Sequence, residues 1–179
     1  MARASWHYWL WWYGSGLKVD NWTQELLMVE PPRGMYPSRL DDKGRAKMPA
    51  AFQQFFAALR EKKLFVTSLD RRIAQIYPMA VWRQNEKFFD SYREDPRLAR
   101  NVAFNAADLG AEAEMDGQGR ILFSPELRRE LGIENAPVRL FAYRGRIEVL
   151  SEKIYEERKR EASATAPEDV SKLEAAGLV

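Results

Sequence analysis

Cysteine is absent from the sequence, and histidine occurs once, at His7. The first absence excludes a disulfide framework and thiolate metal sites, and it fits a reducing interior. The second nearly excludes imidazole metal clusters and Ser-His nucleophilic machinery. There is no nucleophile–base pair and no Gly-rich phosphate loop opening a helix, so neither an enzyme nor a cofactor is read here. Long apolar runs are missing too. Crossing a bilayer takes roughly 20 apolar residues, whereas "WHYWLWWY", residues 6–13, is a run of eight holding four of the six tryptophans. That run is aromatic where a signal peptide would be aliphatic, with only Arg3 basic ahead of it. Its flanks lack the Lys and Arg that would hold an interfacial helix on anionic lipid. No membrane span is expected.

What is present is the profile of a soluble globular protein: 46% hydrophobic and 30% charged residues over 179 positions. That length suits one large domain or two small ones, and two small ones would have thin cores that must pack together or oligomerise. The net charge of +2 hides an uneven distribution. From Arg33 to Arg60 six basic residues face two acidic ones, while from Asp108 to Leu131 three basic residues face six acidic ones. A polyanion would meet the first stretch more readily than the second.

Two short stretches share one shape. "DDKGR" at 41–45 returns as "DGQGR" at 116–120, 75 positions later. In each, an Asp can accept backbone N–H groups two or three residues on, and Gly44 or Gly119 supplies the positive φ of a tight reversal. The surroundings repeat as well. After the Pro-rich "EPPRGMYPSRL" come a strand at "AKM", a helix begun by Pro49 with Phe52, Phe55, Phe56 and Leu59 on one face, and strands at "LFVTSL" and "AQIYPM" around a turn at "DRR". A polar helical stretch from Val81 to about Phe104, broken at Pro96, separates this from a second programme. There "AEAEM", the turn and "ILF" lead to a helix capped by Ser124, begun by Pro125 and ended near Gly132, then to a hairpin "VRLFAY"/"RIEVL" around Arg144 and Gly145. A charged helix from Ser151 to about Ala162 and an Ala-rich, mobile tail complete the expectation. The turn is written twice because the unit is written twice.

The stretches "RGMYPSRLDDKGRAKMPAAF", "LFVTSLDRRIAQIYPMAVW", "LGAEAEMDGQGRILFSPELRRELGI" and "RIEVLSEKIYE" closely resemble the MraZ family of bacterial transcriptional regulators, over about Arg33 to Tyr155. Members of that family carry two SpoVT-AbrB-type domains, each marked by a D-x-x-x-R motif. The resemblance implies an α+β fold: a tandem swapped-hairpin β-barrel with packed helices, assembling as a ring-shaped homo-oligomer. It implies a first domain over 33–82, a helical linker over 83–107, a second domain over 108–153 and a C-terminal helix and tail over 154–179. Residues 1–32 would then be an N-terminal extension, and 1–27 either an upstream-start artefact or an unusual appendage. The implied partner is double-stranded DNA, at short direct repeats in the promoter of the division and cell-wall gene cluster, in the cytoplasm and at the nucleoid.

For the site, Arg45 is the candidate base reader, because a guanidinium can bond guanine O6 and N7 together. Lys43, Arg39 and Lys47 suit phosphates, which add affinity without reading sequence. Arg120, on the acidic copy, is weighed more as a holder of the second turn than as a DNA contact. Asp41, Gly44, Asp116 and Gly119 orient the turns. The alternative for both arginines is pairing with Asp41 or Asp116 across the turn, to fix its shape. Asp41 beside Asp42 reads as a solvated pair and not as a metal site. The phenylalanines at 52, 55 and 56 read as core and not as a base-stacking platform. "EERKR" at 156–160 reads as a solvated helix face. The competing function is an AbrB-type protein-interaction module, antitoxin-like, without specific promoter binding.

Overall fold

The computed structural model describes residues 29–179; the Trp-rich run and Met28 lie outside the described residues. In chain order the elements are β1 (Tyr36–Arg39), β2 (Arg45–Lys47), α1 (Ala50–Ala58), β3 (Leu64–Thr67), β4 (Ala74–Pro78), α2 (Met79–Ser91), α3 (Pro96–Leu109), β5 (Ala111–Ala113), β6 (Arg120–Leu122), α4 (Pro125–Leu131), β7 (Pro137–Tyr143), β8 (Arg146–Ser151) and α5 (Glu152–Ala175). The order strand, turn, strand, helix, two strands therefore occurs twice, with α2 and α3 between the copies and α5 after the second.

The local chemistry explains these boundaries. The helix α1 follows Pro49, and its Phe52, Phe55 and Phe56, with Leu59 just past its end, are buried as their spacing predicts. Ser124 caps α4 by accepting the Leu127 N–H at 3.2 Å. That helix closes at Gly132, whose φ of 63° is the left-handed conformation glycine favours. Arg144 and Gly145 both have positive φ, 48° and 76°, so β7 and β8 are joined by a two-residue turn whose twist matches theirs. The polar stretch is two helices, α2 and α3, with the break just before Pro96.

One expectation fails. The C-terminal helix does not end near Ala162 in an irregular tail; α5 runs 24 residues to Ala175, passing through Pro167. Alanine, which looked like tail composition, is the strongest helix former. Thr165 donates to Asp169 at 2.6 Å and Lys172 pairs with Glu168 at 2.7 Å, both at i,i+4 spacing that supports a helix.

The strands of the two copies interleave. The larger sheet has the order β1-β7-β8-β4-β3-β5, with every pairing antiparallel. The β3–β4 hairpin takes β5 on its flank (Leu64 opposite Ala113), and the β7–β8 hairpin takes β1 (Tyr36 opposite Leu140). Each outer strand thus completes the hairpin of the other copy, and β4 meets β8 in the middle (Ile76 opposite Ile147). Pro37 is tolerated in β1 because that strand is an edge. The second sheet is β2 with β6.

A single apolar cluster joins residues of both copies, among them Leu40, Phe52, Leu64, Ile76, Ile121, Phe123, Leu140 and Ile147. A smaller cluster of Tyr77, Met79, Trp82 and Ala106 seats α2 and α3, with the Trp82 ring stacked on Phe65 at 4.3 Å. Charged ties hold the periphery. Arg71, between β3 and β4, pairs with Asp108 of α3 at 2.8 Å and Glu130 of α4 at 2.7 Å. The buried Glu148 pairs with Arg146 at 2.7 Å and Arg158 at 3.2 Å, which fastens α5 onto the sheet.

Because the strand pairing is reciprocal, neither copy has a complete core alone. A chain ending at Leu109 leaves β1, β2 and β4 without their partners β7, β6 and β8. Such a chain is expected to show no cooperative urea transition by circular dichroism, and a sharp transition would contradict the shared core.

Candidate nucleic-acid interface

The two turns have one geometry. In the first, Asp41 N–H donates to the Arg45 carbonyl at 2.9 Å and Gly44 N–H to the Asp41 carbonyl at 3.0 Å, closing the reversal. Asp41 Oδ1 accepts the backbone N–H groups of Lys43 (3.0 Å) and Arg45 (2.8 Å). Its Oδ2 accepts Arg45 Nε at 2.8 Å and lies 2.7 Å from Nη2. The second turn repeats this bond for bond. Asp116 Oδ1 takes the N–H groups of Gln118 and Arg120, both at 2.9 Å, and Oδ2 takes Arg120 Nε and Nη2, both at 2.8 Å. Only a side chain with two acceptor oxygens on a short stem can tie the turn backbone and the guanidinium at once. The left-handed φ of Gly44 (77°) and Gly119 (71°) makes the reversal possible.

These bonds set the electrostatics. The Arg45 side-chain hydrogen bond first, then its backbone N–H, hold the Asp41 carboxyl down to about 2, and the same contacts from Arg120 lower Asp116. Both arginines pair across their turns and remain about a quarter exposed, 27% for the Arg45 side chain and 25% for Arg120.

The turns are also interlocked. In the β2–β6 pair Ala46 stands opposite Ile121 and Lys47 opposite Arg120. Beyond the strands, Met48 N–H donates to the Gly119 carbonyl at 2.8 Å, and Phe123 N–H to the Gly44 carbonyl at 3.0 Å. Both turn glycines are buried, each beneath a side chain from the helix of the other copy. Gln53 of α1 covers Gly119, where a methyl group would come within 2.4 Å of its amide carbon; Arg128 of α4 covers Gly44, where a methyl would come within 1.6 Å of Nη1.

The other candidates are placed as follows. Lys43 is exposed on the first turn. Lys47 is exposed but donates through Nζ to the Gln118 carbonyl, so it reaches the second turn. Arg39, at the end of β1, donates to the Asn135 carbonyl at 2.6 Å and stands apart from both turns in the hydrogen-bond network. Asp41, Lys43, Gly44, Arg45, Lys47, Asp116, Gly119 and Arg120 are thus brought together on the β2–β6 unit and its turns. Gln53 and Arg128 were missed by sequence reasoning, although they stand 75 positions apart like the turns themselves. Among the described residues no group of three or more His, Cys, Asp or Glu is placed to hold a metal ion, and no helix is long and apolar enough to cross a membrane.

No family model matches the chain. Curated relatives do. A protein of Acidobacterium capsulatum named transcriptional regulator MraZ is 30% identical over 146 residues, which span 82% of this chain and 99% of the relative. Proteins of the same name from Koribacter versatilis and Nitrosospira multiformis are 38% and 36% identical over 102 and 110 residues. Those matches cover 55% and 59% of this chain, and 67% and 72% of the relatives.

The clamp has a pH consequence. A carboxyl whose pKa is lower in the folded chain contributes stability that is complete above its ordinary value and is lost as pH falls through the folded one. For Asp41 that window runs from 3.8 down to about 2. The urea midpoint is therefore expected to fall between pH 5 and pH 2.5, and to fall less in the double variant Asp41→Asn, Asp116→Asn. Equal falls would show that the clamps carry no pH-linked stability.

Proposed function

As the chain belongs to the MraZ family of transcriptional regulators, we propose that it binds double-stranded DNA sequence-specifically through its Asp-x-x-x-Arg turns, the first turn foremost. In this reading residues 33–82 and 108–153 are two SpoVT-AbrB-type repeats, and several chains form a ring-shaped homo-oligomer. The ring presents the first turn to successive direct repeats in the promoter of the division and cell-wall genes, in the cytoplasm at the nucleoid. Its function is regulation and not catalysis.

The observation that carries this reading is the held guanidinium. Asp41 occupies Nε and one Nη2 proton of Arg45, so the side chain is fixed before any ligand arrives. A guanidinium has five donors, and those left at its outer end can still meet guanine O6 and N7. An arginine already ordered on a rigid turn loses little conformational entropy on binding. Arg120 is held in the same way, but the first turn offers Lys43, beside Asp42, as a reach to phosphate where position 118 of the second turn is Gln. The first turn also lies in the basic stretch from Arg33 to Arg60, so phosphate attraction favours it. One such turn is a small reader. Repetition around a ring supplies avidity on the order of 10²–10⁴ when the spacing of sites permits simultaneous contact.

The test is fluorescence anisotropy of the full chain on a duplex from upstream of its own gene, beside a scrambled duplex, at two salt concentrations. Preference for its own DNA that persists as salt rises is expected. Arg45→Ala should remove about 1–3 kcal/mol of that discrimination. Equal binding to both duplexes that collapses with salt would reduce the site to a basic surface.

A further inference from the structure

The two copies differ in how their hairpins are covered. In the first, Trp82 of α2 stacks on Phe65 at 4.3 Å and meets the rings of Tyr77 and Phe89 at 5.3 and 6.2 Å. The next helix, α3, is then laid against the same hairpin: Ala106 joins this cluster, and its carbonyl accepts the Thr67 hydroxyl at 2.8 Å. In the second copy α5 takes the place of α2, each starting directly after the hairpin's second strand, at Glu152 and Met79. Counted from those starts, Tyr155 answers to Trp82, Arg158 and Lys159 to Asn85 and Glu86, and Ala162 to Phe89. No helix follows α5, so the second hairpin has no counterpart of α3 among the described residues. A groove of about 520 Å³ is left there, lined by Met35, Phe141 and Leu150, by Ala162 and Ala166 of α5, and by the half-exposed Arg158 and Lys159.

Arg158, Ala162 and Ala166 recur every four residues along one face of α5. They form a line about 12 Å long, with a cation at one end and small apolar side chains at the other. The room comes from Ala162, since Phe89 fills the equivalent place on α2. The nearby carboxylates are already engaged: Glu148 is shared by Arg146 and Arg158, Glu152 holds Arg139 at 3.1 Å, and Glu156 stands 4.0 Å from Lys159. Four cations thus face three carboxylates. Arg158 gives only Nη1 to Glu148, so its Nε and Nη2 have no protein partner among the described residues. An apolar groove of this size with a few convergent polar groups has the form of a small-molecule site. We propose that it binds a single-chain amphiphile of the fatty-acid class. The tail lies against Phe141, Leu150, Ala162 and Ala166, and the carboxylate head meets Lys159 and the unused donors of Arg158. The site is separate from both turns and does not depend on the DNA-binding reading.

The test is isothermal titration calorimetry of the full chain with sodium decanoate, decyl phosphate and 1-decanol, each below its micelle-forming or solubility limit, with thermal midpoints measured for every variant. Saturable binding of decanoate, tighter than that of 1-decanol, is expected. Two substitutions borrow the residue that the first copy carries: Ala162→Phe closes the groove, and Lys159→Glu reverses one head contact. Arg158 stays in place because it holds Glu148. Ala162→Phe should weaken decanoate and 1-decanol alike by about tenfold, the worth of roughly two buried methylenes. Lys159→Glu should weaken decanoate severalfold and spare 1-decanol, with the midpoint unchanged. No saturable binding by the unsubstituted chain overturns the proposal, as does equal affinity for decanoate and 1-decanol. Unchanged decanoate affinity in Ala162→Phe also overturns it, by placing the ligand elsewhere, such as on the exposed Phe88 or Phe104. Tighter binding of decyl phosphate than of decanoate overturns the carboxylate head. If Ala162→Phe lowers the midpoint, Lys159→Glu decides alone, and an unchanged ratio of decanoate to 1-decanol affinity overturns the site.

Discussion

The antiparallel pairing of β2 with β6 is the contact on which the rest depends. It spans only three residues on each strand, and on its own would be marginal. Its strength comes from what it closes. Backbone bonds from Met48 and Phe123 reach the carbonyls of the opposite turn glycines, and the flanking side chains Ala46, Met48, Ile121 and Phe123 are all fully buried. The two turns are therefore fixed relative to each other by the same residues that fill the core. Moving one turn would disturb the other turn and the packing of α1 and α4 together.

That interlock turns a sequence repeat into one body. Each copy supplies the outer strand of the other's hairpin, so the core cannot be divided at the linker. It also allows the copies to diverge in charge without diverging in shape. Asp41 and Asp116 make equivalent bonds, and both arginines are held alike. Positions 43 and 118, and positions 53 and 128, then carry different charge on a common frame. Rigid presentation and local charge are separate variables here, one set by the Asp clamp and the other by what surrounds it.

Much of this was legible in the sequence, because it rests on short-range chemistry. The Asp–Gly–Arg spacing, the Phe52–Phe55–Phe56 face, the Ser124–Pro125 start of α4 and the Arg144–Gly145 turn are each encoded within a few residues. The 75-residue offset gave the doubled unit, and the resemblance it led to gave the family. Long-range partners were not legible. Nothing local says that Arg128 lies over Gly44, that Lys47 reaches Gln118, or that Arg39 turns to Asn135. The length of the C-terminal helix was not legible for a different reason: an Ala-rich stretch beyond Ala162 reads as tail composition, although alanine and i,i+4 pairs sustain a helix that buries no residue.

The central claim is that the first turn faces DNA while the second serves the frame. An electron cryo-microscopy map of the full chain bound to the duplex from upstream of its own gene tests it most directly. The account predicts density for the duplex against Lys43 and Arg45, with the Asp116–Arg120 turn away from the bases. A duplex seated on another face, or on the second turn alone, would contradict it.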